Sequence, residues 1–151
     1  MKQEYINPFL ESACIVIEQV AGVKPSAGDL GIKEIVEQDG YIWIHIGMTG
    51  QMSGDIMFGL REEVALKMVS AMMGGYVLEE LGEMGHSAIS ELGNMISGNA
   101  STMLYDQGVQ VDITPPRIIA SQDGKIEAKR ALSIPISMEG IGELDIQVLI
   151  A

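Results

Sequence analysis

At 151 residues, 47% hydrophobic and 20% charged, the chain is long enough for one domain with a real core and too apolar to be disordered. Its 21 Asp and Glu outweigh nine Lys and Arg, a formal net charge of −12, which argues against a nucleic-acid surface and repels any free phosphorylated metabolite. The single cysteine rules out an internal disulfide and fits a reducing cytosol, and neither a membrane-length apolar run nor a signal-like start is present, so a cytoplasmic protein is expected.

Asn7 to Val20 reads as a first helix. Phe9, Leu10, Ala13, Val16, Ile17 and Val20 recur at helical spacing, and Gly22 to Gly28 with Pro25 closes the element. Cys14, beside Ala13, falls where a small buried hydrophobe belongs. Leu30 to Glu37 is a weak strand pattern and Tyr41 to Met48 a strong one. In the latter, Ile42, Ile44, Ile46 and Met48 share one face, with Tyr41, Trp43 and His45 on the other. His45 is thereby a packed or half-exposed imidazole rather than a ligand. Thr49 to Gly54 supplies turn residues before a partner strand over Gly54 to Leu60. Arg61-Glu62-Glu63 opens a second helix, acidic at its positive end, with Ala65, Met68, Val69, Met72 and Met73 as its buried stripe and Gly74-Gly75 as its stop.

Tyr76 to Gly85 reads as an acidic connection into a third helix, which ends around Asp106-Gln107-Gly108. Strands follow at Gln110 to Thr114, Arg117 to Ser121, Ala131 to Met138 and Glu143 to Ile150, the last two forming a hairpin that turns at Glu139 to Gly142. These elements predict a single α+β domain over residues 1–151, a mostly antiparallel sheet of about six strands with three helices on one or both faces. Most of the eleven methionines sit on apolar helix stripes, where core filling explains them.

The third helix carries the only pattern with chemistry in it. Ser87, Glu91, Asn94 and Gly98 are spaced by four, three and four residues and fall on one side, opposite Ile89, Leu92, Ile96 and Met103. Asn is an indifferent helix former and an interior Gly costs about 1 kcal/mol relative to Ala, so this row is not there to build a helix. A solvated face is the other reading of such a row. The tetrapeptide Glu-x-x-Asn is not specific by itself, because Glu4-Tyr5-Ile6-Asn7 repeats it without the upstream polar residue and with Pro8 directly after.

Other catalytic devices are missing from the sequence. There is no Cys or His cluster for zinc, no Walker loop and no nucleophile elbow, and Gly140-x-Gly142 precedes a strand and is a turn. His45 and His86 stand alone in their segments. His86, next to Ser87, is a candidate acid or base, with capping or solvation as the plainer reading. What remains is one amide and one carboxylate. An amide is a poor base, but it donates and accepts hydrogen bonds and can hold a water in line with a phosphoryl group. The substrate suited to so small a helper is an activated aspartyl phosphate on a receiver domain that brings its own Mg²⁺ and lysine, which also removes the charge conflict.

The series Asp-or-Ser, three residues, Glu, two residues, Asn, three residues, Gly resembles the signature helix of the CheC/CheX/FliY phosphatases of bacterial chemotaxis. Ala65 to Gly75, Val111 to Pro116 and Leu132 to Ser137 are similar to flanking segments of the CheX branch, in order and at similar spacing over nearly the whole chain. A single motif in credible context is similar to CheX rather than to the two-motif CheC. The resemblance implies that Asn94 orients the attacking water, Glu91 pairs with the receiver lysine, Ser87 lies at the edge of the contact and Gly98 permits close approach. It further implies a phosphorylated CheY-like response regulator as partner, Mg²⁺ supplied by that partner with no cofactor of the chain's own, and a homodimer joined at sheet edges. Two rival readings do without hydrolysis: a module that uses the same helix to sequester the regulator, and a structural part in a flagellar switch or sensory array, to which Glu91 and Asn94 would be indifferent.

Overall fold

The computed structural model describes residues 3–34, 40–120 and 130–150. Its elements run α1 (Gln3–Ala21), β1 (Ser26–Ala27), β2 (Gly31–Glu34), β3 (Tyr41–Gly50), β4 (Gly54–Arg61), α2 (Glu62–Met72), α3 (Gly82–Asp106), β5 (Val111–Ile113), β6 (Arg117–Ala120), β7 (Arg130–Met138) and β8 (Gly142–Ile150). Every strand pair is antiparallel, and the sheet has six lanes in the order β1/β2, β7, β8, β4, β3, β5/β6. Eight strands thus fill the place of the expected six or so, because each outer lane is broken into two short pieces along one long neighbour. The two-residue β1 is too short to show any periodicity in sequence.

The outer lane beside β3 is broken by a bulge. Met48 faces Ile113 and Gly50 faces Val111, whereas Ile44 faces Ile118 and His45 faces Arg117, so the register slips by one residue between β5 and β6. The extra residue falls in Thr114-Pro115-Pro116, where proline, which cannot donate to a ladder, is at home on an edge. The Gly47 amide donates to Thr114 Oγ1 at 2.8 Å, and the Thr114 amide donates to the Gly47 carbonyl at 2.9 Å, tying the bulge to the sheet.

The alternation expected in β3 is present. Ile42, Ile44, Ile46 and Met48 are buried together with Ile56 and Phe58 of β4, Ile136 of β7 and Ile146 of β8. All three helices pack on this face through Phe9, Ile17, Met68, Ile89, Leu92 and Ile96, each such side chain contributing about 1.5–3 kcal/mol on burial. The other face carries a small cluster of Trp43, Met57 and Ala131. A Cβ at Gly59 would lie 2.4 Å from Trp43 Cζ3, so only glycine lets the Trp43 ring cross β4 there.

Several local expectations are corrected. Helix α1 begins at Gln3 rather than Asn7 and contains Pro8, which forfeits one intrahelical bond. The turn before the proline is held because Ile6 is buried. Cys14 is half-buried rather than buried, and burial followed by the Glu18 carboxylate pushes its thiol above the usual range. The part of the expected Leu30–Glu37 strand beyond Glu34, and Ser121 of the Arg117–Ser121 strand, lie outside the described residues. Met73 is exposed and leaves the α2 stripe, which consists of Val64, Ala65, Met68 and Val69. It is the cap residue of a Schellman end, with the Gly75 amide on the Ser70 carbonyl at 2.8 Å and the Gly74 amide on the Ala71 carbonyl at 3.3 Å. Of the methionines, Met48, Met57, Met68 and Met138 are buried, Met52, Met72 and Met95 are partly so, and Met84 is exposed.

Candidate functional site

Helix α3 is 25 residues long, about 37 Å, and crosses the sheet beside its β5/β6 edge. It starts at Gly82, earlier than the sequence pattern indicates. Gly82 sits at φ +60°, a left-handed conformation that favours glycine, and the buried Leu81 packs against Gly85 in the first turn. At the far end, the Val109 amide reaches the Leu104 carbonyl and the Gly108 amide the Tyr105 carbonyl, both at 2.9 Å, a second Schellman end with Gly108 at φ +87°.

Two contacts seat this helix. A Cβ at Gly93 would lie 3.1 Å from Ile44 Cγ2 and 3.6 Å from Phe58 Cδ2, so this glycine sets how closely α3 lies on the sheet. Ser12 of α1 donates to the Ile96 carbonyl in a buried bond. The buried stripe is Ile89, Leu92, Ile96, Ala100 and Leu104, continuing at a spacing of four, so Met103 is only half-buried at its edge.

With that stripe down, Ser87, Glu91 and Asn94 are exposed and Gly98 is half-exposed, together in an arc of about 60°. Among the described residues, the Ser87, Glu91 and Asn94 side chains make no hydrogen bond or ion pair, although backbone bonds are satisfied along the helix. The fold does not use them. A Cβ at Gly98 would meet nothing within 4 Å, so among the described residues this second glycine has no packing reason.

The row borders a groove of about 730 Å³. One wall is α3, with Gly82, Glu83, His86, Ser87, Ser90, Glu91 and Asn94; the other is Pro116 and Ile118. The opposite wall is what sequence reading missed. Pro116 and Ile118 reach the groove because the bulge shifts β6 by one residue against β3, and the Pro115-Pro116 pair was the signal of a broken edge lane. Among the described residues the lining holds two carboxylates and no Lys or Arg, which disfavours a bare anion. His86 is exposed and is the fifth residue of α3, hence not its cap. His45 is elsewhere, on the face away from the helices, with Nε2 2.6 Å from Asp55 Oδ1. The Glu4–Asn7 copy lies in α1 and contributes nothing to the groove. Among the described residues no group of three or more His, Cys, Asp and Glu is arranged to hold a metal ion, and no helix is long and apolar enough to cross a membrane.

Comparison with known proteins gives this geometry a context. Residues 42–137 match the model of a family described as chemotaxis phosphatase CheX. The chain is 35% identical over 149 residues to the CheY-P phosphatase CheX of Thermotoga maritima, covering 98% of this chain and 96% of that one. The chemotaxis protein CheX of Vibrio vulnificus has the same fold, with a TM-score of 0.84 at 26% identity, covering 98% of this chain and 99% of the other. A chain of the CheX–CheY–BeF₃–Mg²⁺ complex from Borrelia burgdorferi matches with a TM-score of 0.82 at 28% identity, over 97% of each chain. A family match over most of the chain, a relative of this identity over nearly all of it, and a shared fold leave one assignment: this chain belongs to the CheX chemotaxis phosphatase family.

Proposed function

We propose that the chain is a phosphatase of a phosphorylated CheY-like response regulator, in which Asn94 orients the attacking water and Glu91 docks on the receiver lysine. The observation that carries this reading is the pair itself. Among the described residues, Glu91 and Asn94 are exposed, unused by the fold, and adjacent on a groove lined by no Lys or Arg. The Thermotoga relative bears the name CheY-P phosphatase, and the Borrelia relative belongs to a complex with CheY, BeF₃ and Mg²⁺, which supports the same partner class here.

The chemistry is modest and fits what an amide can do. Water oxygen bonds to phosphorus while the bond to the receiver's aspartyl oxygen breaks, releasing inorganic phosphate and restoring the carboxylate. The Asn94 carbonyl oxygen accepts a hydrogen bond from the water and its NH₂ remains free to donate to a phosphoryl oxygen, so the nucleophile is held in line. Glu91 lies one turn earlier, about 4.5 Å along the axis, within reach of a cation beside the phosphoryl group. Charge favours this division of labour. The acidic groove rejects phosphate alone and accepts it with the lysine and Mg²⁺ of the partner. Ser87 lies at the edge of this contact, and Gly98 leaves the approach open. The reading includes a homodimer joined along a sheet edge, which sedimentation equilibrium tests.

The deciding experiment follows phosphate loss from a panel of phosphorylated receivers. The wild-type chain should accelerate loss from at least one. Asn94→Ala should lose about a hundredfold of that acceleration, equivalent to about 2.7 kcal/mol, with binding retained. Glu91→Ala should lose affinity. Full activity in Asn94→Ala would refute the mechanism, and saturable binding by wild type without faster loss would favour a sequestering module.

A further inference from the structure

Five residues of the groove lining have no task in hydrolysis: Glu83, His86 and Ser90 on α3, and Pro116 and Ile118 on the facing segment. His86 is eight residues from Asn94, about 12 Å along the axis, too far to touch a phosphoryl group that Asn94 serves. The two walls also differ in chemistry. The helix side is polar, with Glu83 and His86 exposed, while Pro116 and Ile118 offer a half-buried apolar side.

We infer that these residues of the lining form the specificity surface of the phosphatase. It takes a receiver segment flanking the phosphorylation site, with a basic side chain toward Glu83 and an apolar one toward Ile118. This rests on the phosphatase reading. Aspartyl phosphate, Mg²⁺ and lysine are the shared centre of the substrate class, so Glu91 and Asn94 meet the same groups whichever receiver docks. Discrimination needs contacts outside that centre. The basic character follows from the two carboxylates of the lining, Glu83 and Glu91, with neither Lys nor Arg beside them among the described residues. The apolar character follows from Ile118, which is paired with Ile44 and packed against the core, so its wall is preformed and costs little ordering on binding. His86, three residues from Glu83, adds a hydrogen-bonding group to the same face.

The test is a steady-state comparison of wild type, Glu83→Lys, His86→Ala and Ile118→Thr against several phosphorylated receivers, with melting temperatures recorded alongside. Glu83→Lys and His86→Ala change exposed side chains, so they keep the test decisive if Ile118→Thr folds poorly. KM should rise about fivefold or more for some receivers and not for others, with kcat held, so that the order of preference changes. An unchanged KM for every receiver in both surface variants would overturn the inference while leaving hydrolysis intact. If wild type accelerates loss from no receiver, the phosphatase reading falls separately. Titration of the same variants with beryllofluoride-loaded receivers then decides the specificity surface. Unaltered affinities overturn it and an altered order upholds it.

Discussion

Gly98 offers a perturbation in which stability and activity should move in opposite directions. The residue is inside α3, and a Cβ there would meet no atom within 4 Å. Its carbonyl accepts a bond from Thr102 Oγ1 at 3.2 Å, which a change of side chain at position 98 leaves in place. Gly98→Ala therefore collects the helix-propensity gain of about 1 kcal/mol with no steric charge against it. For a chain of this size that raises the melting temperature by about 2–4 °C, read by circular dichroism. Gly98→Leu should keep most of that gain, since Leu is nearly as good a helix former, yet it projects a side chain into the proposed path of the receiver. A loss of about 1.4 kcal/mol in docking would raise KM tenfold. Destabilisation by Gly98→Ala would mean the outer face of α3 is not free. An unchanged KM in Gly98→Leu would mean the glycine is not kept for close approach.

The remaining predictions concern other positions. Gly93→Val, on the opposite face of the same helix, should destabilise by about 1–3 kcal/mol, because its methyls enter the space held by Ile44 and Phe58; denaturant titration checks this. Glu91→Lys should weaken receiver binding more than Glu91→Ala does, with the excess shrinking as salt is added, because it sets like charges together. Tyr41 donates to Asp145 Oδ2 at 3.1 Å, and burial, then that carboxylate, hold its phenol well above the ordinary 10.0. The unfolded chain loses this proton first, so the contribution is complete below about pH 10 and falls as pH rises toward the raised folded value. Tyr41→Phe should flatten that alkaline loss in unfolding experiments, and an identical pH profile would show that the pair does not act this way.

Much of this molecule is legible along the chain because side-chain period is a local property. The 2.0 period of β3 put Ile42, Ile44, Ile46 and Met48 on the core face, and the 3.6 period of α3 put Ser87, Glu91, Asn94 and Gly98 opposite Ile89, Leu92 and Ile96. Helix ends at Gly74-Gly75 and Gly108 were equally readable, since each rests on a glycine at positive φ. The Gly82 start was not, because two glycines argue against helix locally, while in the fold Gly82 takes a left-handed φ and Leu81 packs on Gly85.

By itself, then, the sequence determined most of the elements, most of their buried stripes and the polar row that carries the family pattern. Tertiary structure alone decided that Gly93 is the packing glycine and Gly98 the open one, two residues that propensity treats alike. It alone decided that Pro116 and Ile118, far along the chain from Asn94, form the facing wall. The reason is register. Which residues of β6 stand beside α3 depends on a one-residue slip against β3, and a slip of that kind is set by long-range hydrogen bonding that no local period records.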